Sequence, residues 1–369
     1  MKGKRFLWLT ENYPPQRGGM AQSCDRIIDG FKQSGAFIDI FHFTNSQKRN
    51  KPRKTQQGNY HTVSIHESES HTINLAWNQV SNSEVYDYLV CYGSHLSVIA
   101  APVFSKWLNI PLITMVRGND FDNAVFNPRK RGILNDLIQQ SDFIFTVSSN
   151  KALKIKRLWP EANTFYTPNG ISLKDWQPTN SELEFSKNWK KQHLQEGRKC
   201  IGLFGDLKEK KGAKFLFECL TKTQIIDKYQ FLLIGNIEEE LKDYLTVNEV
   251  KHENISFQDR YQLLKYYLCL DGLAIPSFYD GMPNVMLEAG ALGIPIIASS
   301  VDGMKDVIEH NEDGFLFKPG DPDECRKAFY DFHNLSEKEA YQVGYNLQNK
   351  IKSKYTSEHE TEHYKKYLS

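Results

Sequence analysis

The sequence has no closely spaced cysteines. Its six, Cys24, Cys91, Cys200, Cys219, Cys269 and Cys325, are scattered, none forms a CxxC, and none stands beside a histidine cluster. This excludes a zinc ribbon and argues against a disulfide framework. Reduced thiols in a cytoplasmic compartment are expected, with Cys91 and Cys200 acting as small hydrophobes inside apolar runs. Long hydrophobic runs are missing too. No stretch reaches the roughly 18 apolar residues of a membrane span. Lys265 and Asp271 interrupt the run before Pro276, and Ser299 and Ser300 close the one around Ile294–Ala298. The basic start is followed only by Phe6–Thr10 before Glu11, which is short for a secretory apolar core and reads as a first strand. An excess of one charge is also lacking. Lys plus Arg number 46 and Asp plus Glu 45, a formal charge of +1, so a broad basic face for nucleic acid has no support. No G-x-G-x-x-G follows the first strand, where Glu11-Asn-Tyr-Pro-Pro-Gln-Arg-Gly-Gly19 stands instead. That disfavours a nicotinamide-dependent enzyme.

What is present is ordinary globular composition, 40% hydrophobic and 25% charged over 369 residues, enough for about two domains. Short continuous apolar runs alternate with longer amphipathic ones. Strands are expected at Arg5–Thr10, Phe37–Phe43, Thr62–His66, Tyr88–Tyr92, Pro111–Val116 and Phe143–Val147. Helical stretches lie between most of them, including Gly19–Ser34, His95–Leu108 and Arg129–Gln140. After turn chemistry at Thr167–Ser172 and a polar stretch from Asp175 to Arg198, a second series begins. Its strands are expected at Cys200–Phe204, Phe231–Ile234, Ile255–Phe257, Gly272–Ile275, Ile294–Ala298 and Gly314–Phe317, and Glu337–Ser369 reads as helical. The alternation predicts an α/β protein with doubly wound parallel sheets, which bind ligands beyond the carboxyl ends of their strands.

The most informative segment is Pro276-Ser-Phe-Tyr-Asp-Gly-Met-Pro-Asn-Val-Met-Leu-Glu-Ala-Gly-Ala-Leu-Gly-Ile-Pro295. A strand ends at Ile275. A loop follows with the carboxylate of Asp280, a permissive Gly281 and Pro283, suited to a first helical turn. A helix carrying Val285, Leu287, Ala289 and Leu292 stops at Gly293. Backbone N–H groups of Gly281–Val285 at that helix start would attract a phosphate. Glu288, one to two turns in, suits a diol, because a carboxylate accepts two hydroxyl protons.

This segment resembles the acid–x7–Glu signature of retaining glycosyltransferases with the two-Rossmann GT-B fold, most closely glycosyltransferase family 4 (glycosyl transferases group 1). The usual first acid is Glu, and Asp280 is one methylene shorter. The resemblance implies that Asp280 contacts the donor sugar as a catalytic residue. Gly281, Met282, Pro283, Asn284 and Val285 then hold sugar and diphosphate, and Glu288 holds the nucleotide ribose. Gly18-Gly19-Met20-Ala21, opening the first helix, resembles the family's glycine loop, which implies that Gly18 and Gly19 let backbone approach the donor phosphates. Thr167–Ser172 and Gly314–Asp321 resemble structural turns of the family. Phe204–Gly212 resembles its strand-to-helix loop in which an Arg and a Lys neutralise the diphosphate. Lys211 matches the Lys, but Asp206 reverses the charge at the Arg, so that either Lys208 or Lys210 supplies it from a shifted geometry or the site is weakened. Met115–Asp120 resembles a strand end that often carries His-Gly-x-Asp. Arg117 stands at the His, where it would contact an acidic sugar, an acceptor phosphate or the donor diphosphate, or pair with Asp120 or Asp122 as scaffold. Asp120-Phe-Asp122 mimics a metal motif, yet no metal or other cofactor is expected, and Asp120 reads as a loop-ordering acid.

The resemblance implies two Rossmann-like domains facing across a cleft. Residues 1–172 would take the acceptor, 173–198 would be a linker, 199–350 would take the donor, and a C-terminal helix within 351–369 would pack back on the first domain. The implied activity moves a hexose-type sugar from a nucleotide-diphosphate sugar to an acceptor hydroxyl with retention, the acceptor being a glycan, a lipid-linked species or a cell-surface polysaccharide precursor. The alternatives are a catalytically weak accessory or binding subunit of the same fold, which Asp206 and Arg117 motivate, and a nucleotide-sugar epimerase. The expected partners are the donor and the acceptor, with no nucleic acid. Lys48, Arg49, Lys51, Arg53 and Lys54 in the 47–54 stretch offer a peripheral contact to an anionic membrane, placing the protein in the cytoplasm or at the inner membrane face.

Overall fold

The computed structural model describes residues 1–45, 53–82, 84–93, 95–118 and 120–368, without the side chain of residue 120. The chain divides into two compact units, Met1–Asn169 with Ser357–Ser369, and Gly170–Thr356. Each contains one sheet with helices on its faces.

In unit 1 the strands are β1 (Arg5–Thr10), β2 (Phe37–Thr44), β3 (Arg53–Thr55), β4 (Gly58–Ser64), β5 (Tyr88–Tyr92), β6 (Leu112–Val116), β7 (Phe143–Thr146) and β8 (Thr164–Tyr166). Among the described residues they form an eight-stranded sheet in the order β3-β4-β2-β1-β5-β6-β7-β8. All its pairs are parallel except β3 with β4. The helices are α1 (Gly19–Gln33), α2 (Glu69–Val80), α3 (Leu96–Leu108), α4 (Asp120–Phe126), α5 (Pro128–Gln140) and α6 (Ser149–Leu158). The central strands are buried on both faces, as parallel strands covered by helices must be. Leu7, Leu9, Phe41 and Leu89 pack with Ala76, Ala100 and Phe104 of α2 and α3. Phe6, Trp8, Ile38 and Val90 pack on the other face with Ile27, Ile28 and Phe31 of α1.

Unit 2 is built from α7 (Asn180–His193), β9 (Lys199–Phe204), α8 (Ala213–Leu220), β10 (Tyr229–Ile234), α9 (Glu239–Val247), β11 (His252–Ile255), α10 (Arg260–Tyr267), β12 (Gly272–Ile275), α11 (Asn284–Ala291), β13 (Ile296–Ser299), α12 (Asp302–Val307), β14 (Phe315–Phe317), α13 (Pro322–His333) and α14 (Glu337–Lys354). Its sheet has six parallel strands in the order β11-β10-β9-β12-β13-β14. The last helix, α15 (Ser357–Leu368), belongs to unit 1. There Tyr364 lies edge-on to Phe31 and Phe145, at 5.3 and 4.9 Å between ring centres. Gly30 of α1 lets it approach, because a Cβ there would run into Thr361 Oγ1.

Two expectations are corrected. The 173–198 stretch is no linker but part of unit 2. After a 3₁₀ turn at Leu173–Trp176, α7 starts with a Thr179–Glu182 capping box. Trp176 packs edge-on to Tyr267, and Lys190 pairs with Asp271 at 2.8 Å. The polar composition reflected an amphipathic surface helix. The expected boundary at 350 also shifts. α14 runs on to Lys354 within unit 2, and the chain returns to unit 1 only at Ser357. Most other strands fall where the apolar runs put them, β4 and β11 beginning several residues early. All six cysteines are free and buried. Of the 47–54 stretch, 47–52 lie outside the described residues.

Candidate functional site

In unit 2 the loops after β9 and β12 come together at the carboxyl ends of the parallel strands, the edge where such sheets bind ligands. Phe278 N donates to Lys210 O at 3.0 Å, tying one loop to the other. Gly212, at φ +66°, completes the approach, since a Cβ there would strike Pro276 O. This brings Lys211 Nζ to Asp280 Oδ2 at 2.5 Å, with both side chains partly exposed. Asp280 also accepts from Gly281 N at 2.9 Å and from Ser277 Oγ at 3.5 Å. The Gly281 amide, expected to be open for phosphate, is therefore already engaged by the neighbouring carboxylate. Pro283 then caps α11 without a side-chain hydrogen bond. The 281–283 loop is buttressed from behind. Gly303 N donates to Gly281 O at 2.7 Å, and a Cβ on Gly303 would lie 2.8 Å from Met282 Cβ.

Glu288 follows on α11 and is buried at 7% exposure. Its Oε2 accepts from Tyr267 Oη at 2.6 Å. Burial first, and then the Glu288 charge, push the Tyr267 phenol well above its ordinary range, so it stays a donor. The Tyr267 ring is wedged edge-on against Trp176 at 5.4 Å and Phe204 at 4.7 Å. Asp206, at the position where an Arg is usual, pairs with Lys208 at 2.8 Å near the surface. Lys208 thus neutralises a charge of the loop itself.

In unit 1, Gly18 caps α1 at φ +113°, a conformation that favours glycine, and Gly19 is the first helical residue. A cavity of about 180 Å³ lies beyond the ends of β5 and β6, bordered by Met20, Cys91, Thr114, Arg117, Lys130 and Leu134 among others. Arg117 is buried at 6% exposure and, among the described residues, is not bonded to Asp122. Instead, one terminal nitrogen donates to Tyr364 Oη at 2.9 Å, and the other to Glu360 Oε1 at 3.1 Å and to Asn169 Oδ1. Arg26 shares both acceptors, through Nε to Glu360 Oε2 at 2.7 Å and a terminal nitrogen to Asn169 Oδ1 at 3.2 Å. The physical reason is α15, whose buried Glu360 meets the β6 end where a ligand contact was expected. Arg117 Nε is buried and has no hydrogen-bond partner among the described residues. Asp122 is used elsewhere, by Lys151 at 2.6 Å and Lys154 at 2.9 Å.

The structure thus brings Lys211, Asp280 and Gly281 together in unit 2, with Met282–Val285 leading into α11 and Glu288 on that helix, and places Gly18, Gly19 and Arg117 in unit 1. Sequence reasoning missed Tyr267, Arg26, Glu360 and Glu11. Glu11 accepts from Ser97 N at 3.1 Å and Ser97 Oγ at 2.6 Å, filling the start of α3 with a carboxylate. For Tyr267 no local signal existed. Glu360 lies in the C-terminal helix, expected to pack on the first domain, but nothing in its charged composition singled out this acid.

Residues 198–334 match a family described as glycosyl transferases group 1. An uncharacterised glycosyltransferase of Methanocaldococcus jannaschii is 23% identical over 350 residues, 86% of each chain. Among solved structures, sucrose-phosphate synthase from Thermosynechococcus elongatus superposes with a TM-score of 0.83 at 16% identity, over 99% of this chain and 98% of that one. HepE of Anabaena, in complex with UDP and glucose, superposes with a TM-score of 0.79 at 16% identity, over 99% of both chains.

Proposed function

Since residues 198–334 belong to the group 1 glycosyl transferases and the chain has the GT-B fold, we propose that it is a retaining glycosyltransferase moving a hexose-type sugar from a nucleotide-diphosphate sugar to an acceptor hydroxyl. The observation that carries the reading is the convergence of Lys211, Asp280 and the start of α11 at one strand edge, with Glu288 one to two turns further in. On this reading Lys211 turns from Asp280 to the departing diphosphate, and Asp280 orients the sugar and bears part of its developing positive charge. The 281–285 loop cradles sugar and phosphate, and Glu288 holds the ribose. The leaving phosphate takes the acceptor proton on the same face, so no dedicated base is assigned. The protein contributes positioning and charge. Unit 1 takes the acceptor, a glycan, lipid-linked species or polysaccharide precursor, with the cavity beside Arg117 available to it. HepE, whose complex contains UDP and glucose, supports a nucleotide-sugar donor of this kind.

Thermal shift with UDP-, GDP-, ADP- and CMP-sugars tests the donor. One base should stabilise the chain, by about 2.7 kcal/mol at a hundredfold excess over Kd. Glu288→Ala should abolish that shift, and Asp280→Ala should lose more transfer than nucleotide affinity. A product anomer opposite to the donor's, read by NMR, would overturn retention. The Asp206–Lys208 pair favours one second reading, a weakly catalytic binding subunit of the same fold. It requires the nucleotide shift without transfer.

A further inference from the structure

Resting on the reading that unit 1 takes the acceptor, we propose that the corner between α4 and α5 docks on an anionic lipid bilayer, and that the acceptor is drawn from that bilayer. α4 ends in Phe126, which is 86% exposed, and every residue from 126 to 132 is exposed. Arg129, Lys130 and Arg131 stand in the first turn of α5, which has no acidic residue. Among the described residues none of the three cations is in an ion pair. The helix amides are not what this corner offers, because Asn127 Oδ1 accepts from Arg129 N at 3.0 Å and Lys130 N at 3.3 Å. What it offers is one aromatic ring beside three guanidinium and ammonium groups.

That pairing fits the bilayer interface, where a ring enters the boundary of the acyl chains while cations meet lipid phosphates. A free phosphate would use the cations and leave the ring in water. The corner is also held in place. Asp122, one turn before Phe126, bonds to Lys151 of α6, whose side chain is fully buried, and to Lys154. Phe121 lies edge-on to Trp159 at 6.3 Å between ring centres. Docking therefore orders little that is not already ordered. The same helix leads from the corner to the cavity, since Lys130, Ile133, Leu134 and Leu137 of α5 border it together with Arg117. An acceptor with an apolar portion and a polar head would pass from the lipid surface into that cavity without crossing open water.

The test is sedimentation of the full chain, with no sugar nucleotide present, against phosphatidylcholine vesicles and vesicles containing about one-third phosphatidylglycerol. Binding is expected to the anionic vesicles alone and to weaken with salt. Removing two charges with Arg129→Gln and Arg131→Gln should lower the partition coefficient on the order of 20-fold, about fivefold per charge. The control Lys187→Gln with Lys191→Gln, on α7, should leave it unchanged. Phe126→Trp should bind and gain fluorescence that brominated acyl chains quench. Melting temperatures of all variants identify any that fail to fold. Equal binding to neutral vesicles would overturn the proposal. So would an unchanged partition in a folded Arg129/Arg131 variant, an equal loss in the α7 control, or a Phe126→Trp signal that brominated lipid leaves alone. Loss of binding when only Lys48, Arg49 and Lys51 are neutralised would also overturn it, by moving the contact elsewhere. As no donor is present, a negative result leaves sugar transfer standing, and failure of donor binding leaves the vesicle result readable.

Discussion

The Tyr267 hydroxyl holds one oxygen of Glu288 at 2.6 Å, inside a pocket of rings from Trp176 and Phe204. A hydrogen bond to a charged group contributes roughly 1.5–3 kcal/mol, more when its loss strands a buried carboxylate. Tyr267→Phe keeps the ring contacts and removes only that bond. The expected result is a nucleotide Kd raised about tenfold or more by calorimetry, with a smaller change in kcat at saturating donor. A Kd equal to the wild type would mean that Glu288 is oriented without Tyr267. The Lys211–Asp280 pair shows a related feature, a cation and an acid of the site already satisfying one another. On the proposed reading, a donor diphosphate would compete with Asp280 for Lys211 and free the acid to turn toward the sugar.

The element that most alters the reading of unit 1 is α15. Glu360 on it is buried between Arg26 and Arg117, with side-chain exposures of 2%, 15% and 2%. Removing one partner from such a buried pair costs about 3–5 kcal/mol, because the remaining charge is left uncompensated. Glu360→Ala should therefore lower the unfolding free energy by that amount, read from the shift of the denaturation midpoint, while replacing all three with apolar residues of similar size should restore much of it. Elements of this kind mark where sequence reading stops. The buried strands β1, β5, β9 and β12 were legible because parallel strands covered on both faces are short continuous apolar runs. α11 was legible from Pro283 and Gly293, which punctuate it chemically. Asp280 and Glu288 were singled out because their spacing resembles a family signature, and they lie, as that segment's reading put them, in the loop after β12 and on α11. β3 and β8, three residues each, were too short to show a period. Arg117 was misread because its partner lies 243 positions away, on a helix whose polar composition concealed one buried acid.

At the scale of the molecule, unit 2 is a single continuous segment, Gly170–Thr356, whereas unit 1 is assembled from two pieces. A fragment spanning 170–356 should fold and bind the nucleotide with near-native affinity. A fragment of residues 1–169 lacks Glu360, Tyr364 and Leu368 from its core and should fold only when a peptide covering 357–368 is added. Circular dichroism and calorimetry on the separate and mixed fragments check both outcomes, and cooperative folding of 1–169 alone would contradict the second. The chain order then has a consequence for biosynthesis. The ribosome delivers most of unit 1 first, yet one face of its sheet stays only partly covered, by α1, and Arg26 and Arg117 lack their carboxylate until α15 emerges behind the whole of unit 2. Unit 2 matures before unit 1, and the earlier-made segment is the one that needs protection from aggregation in the interval.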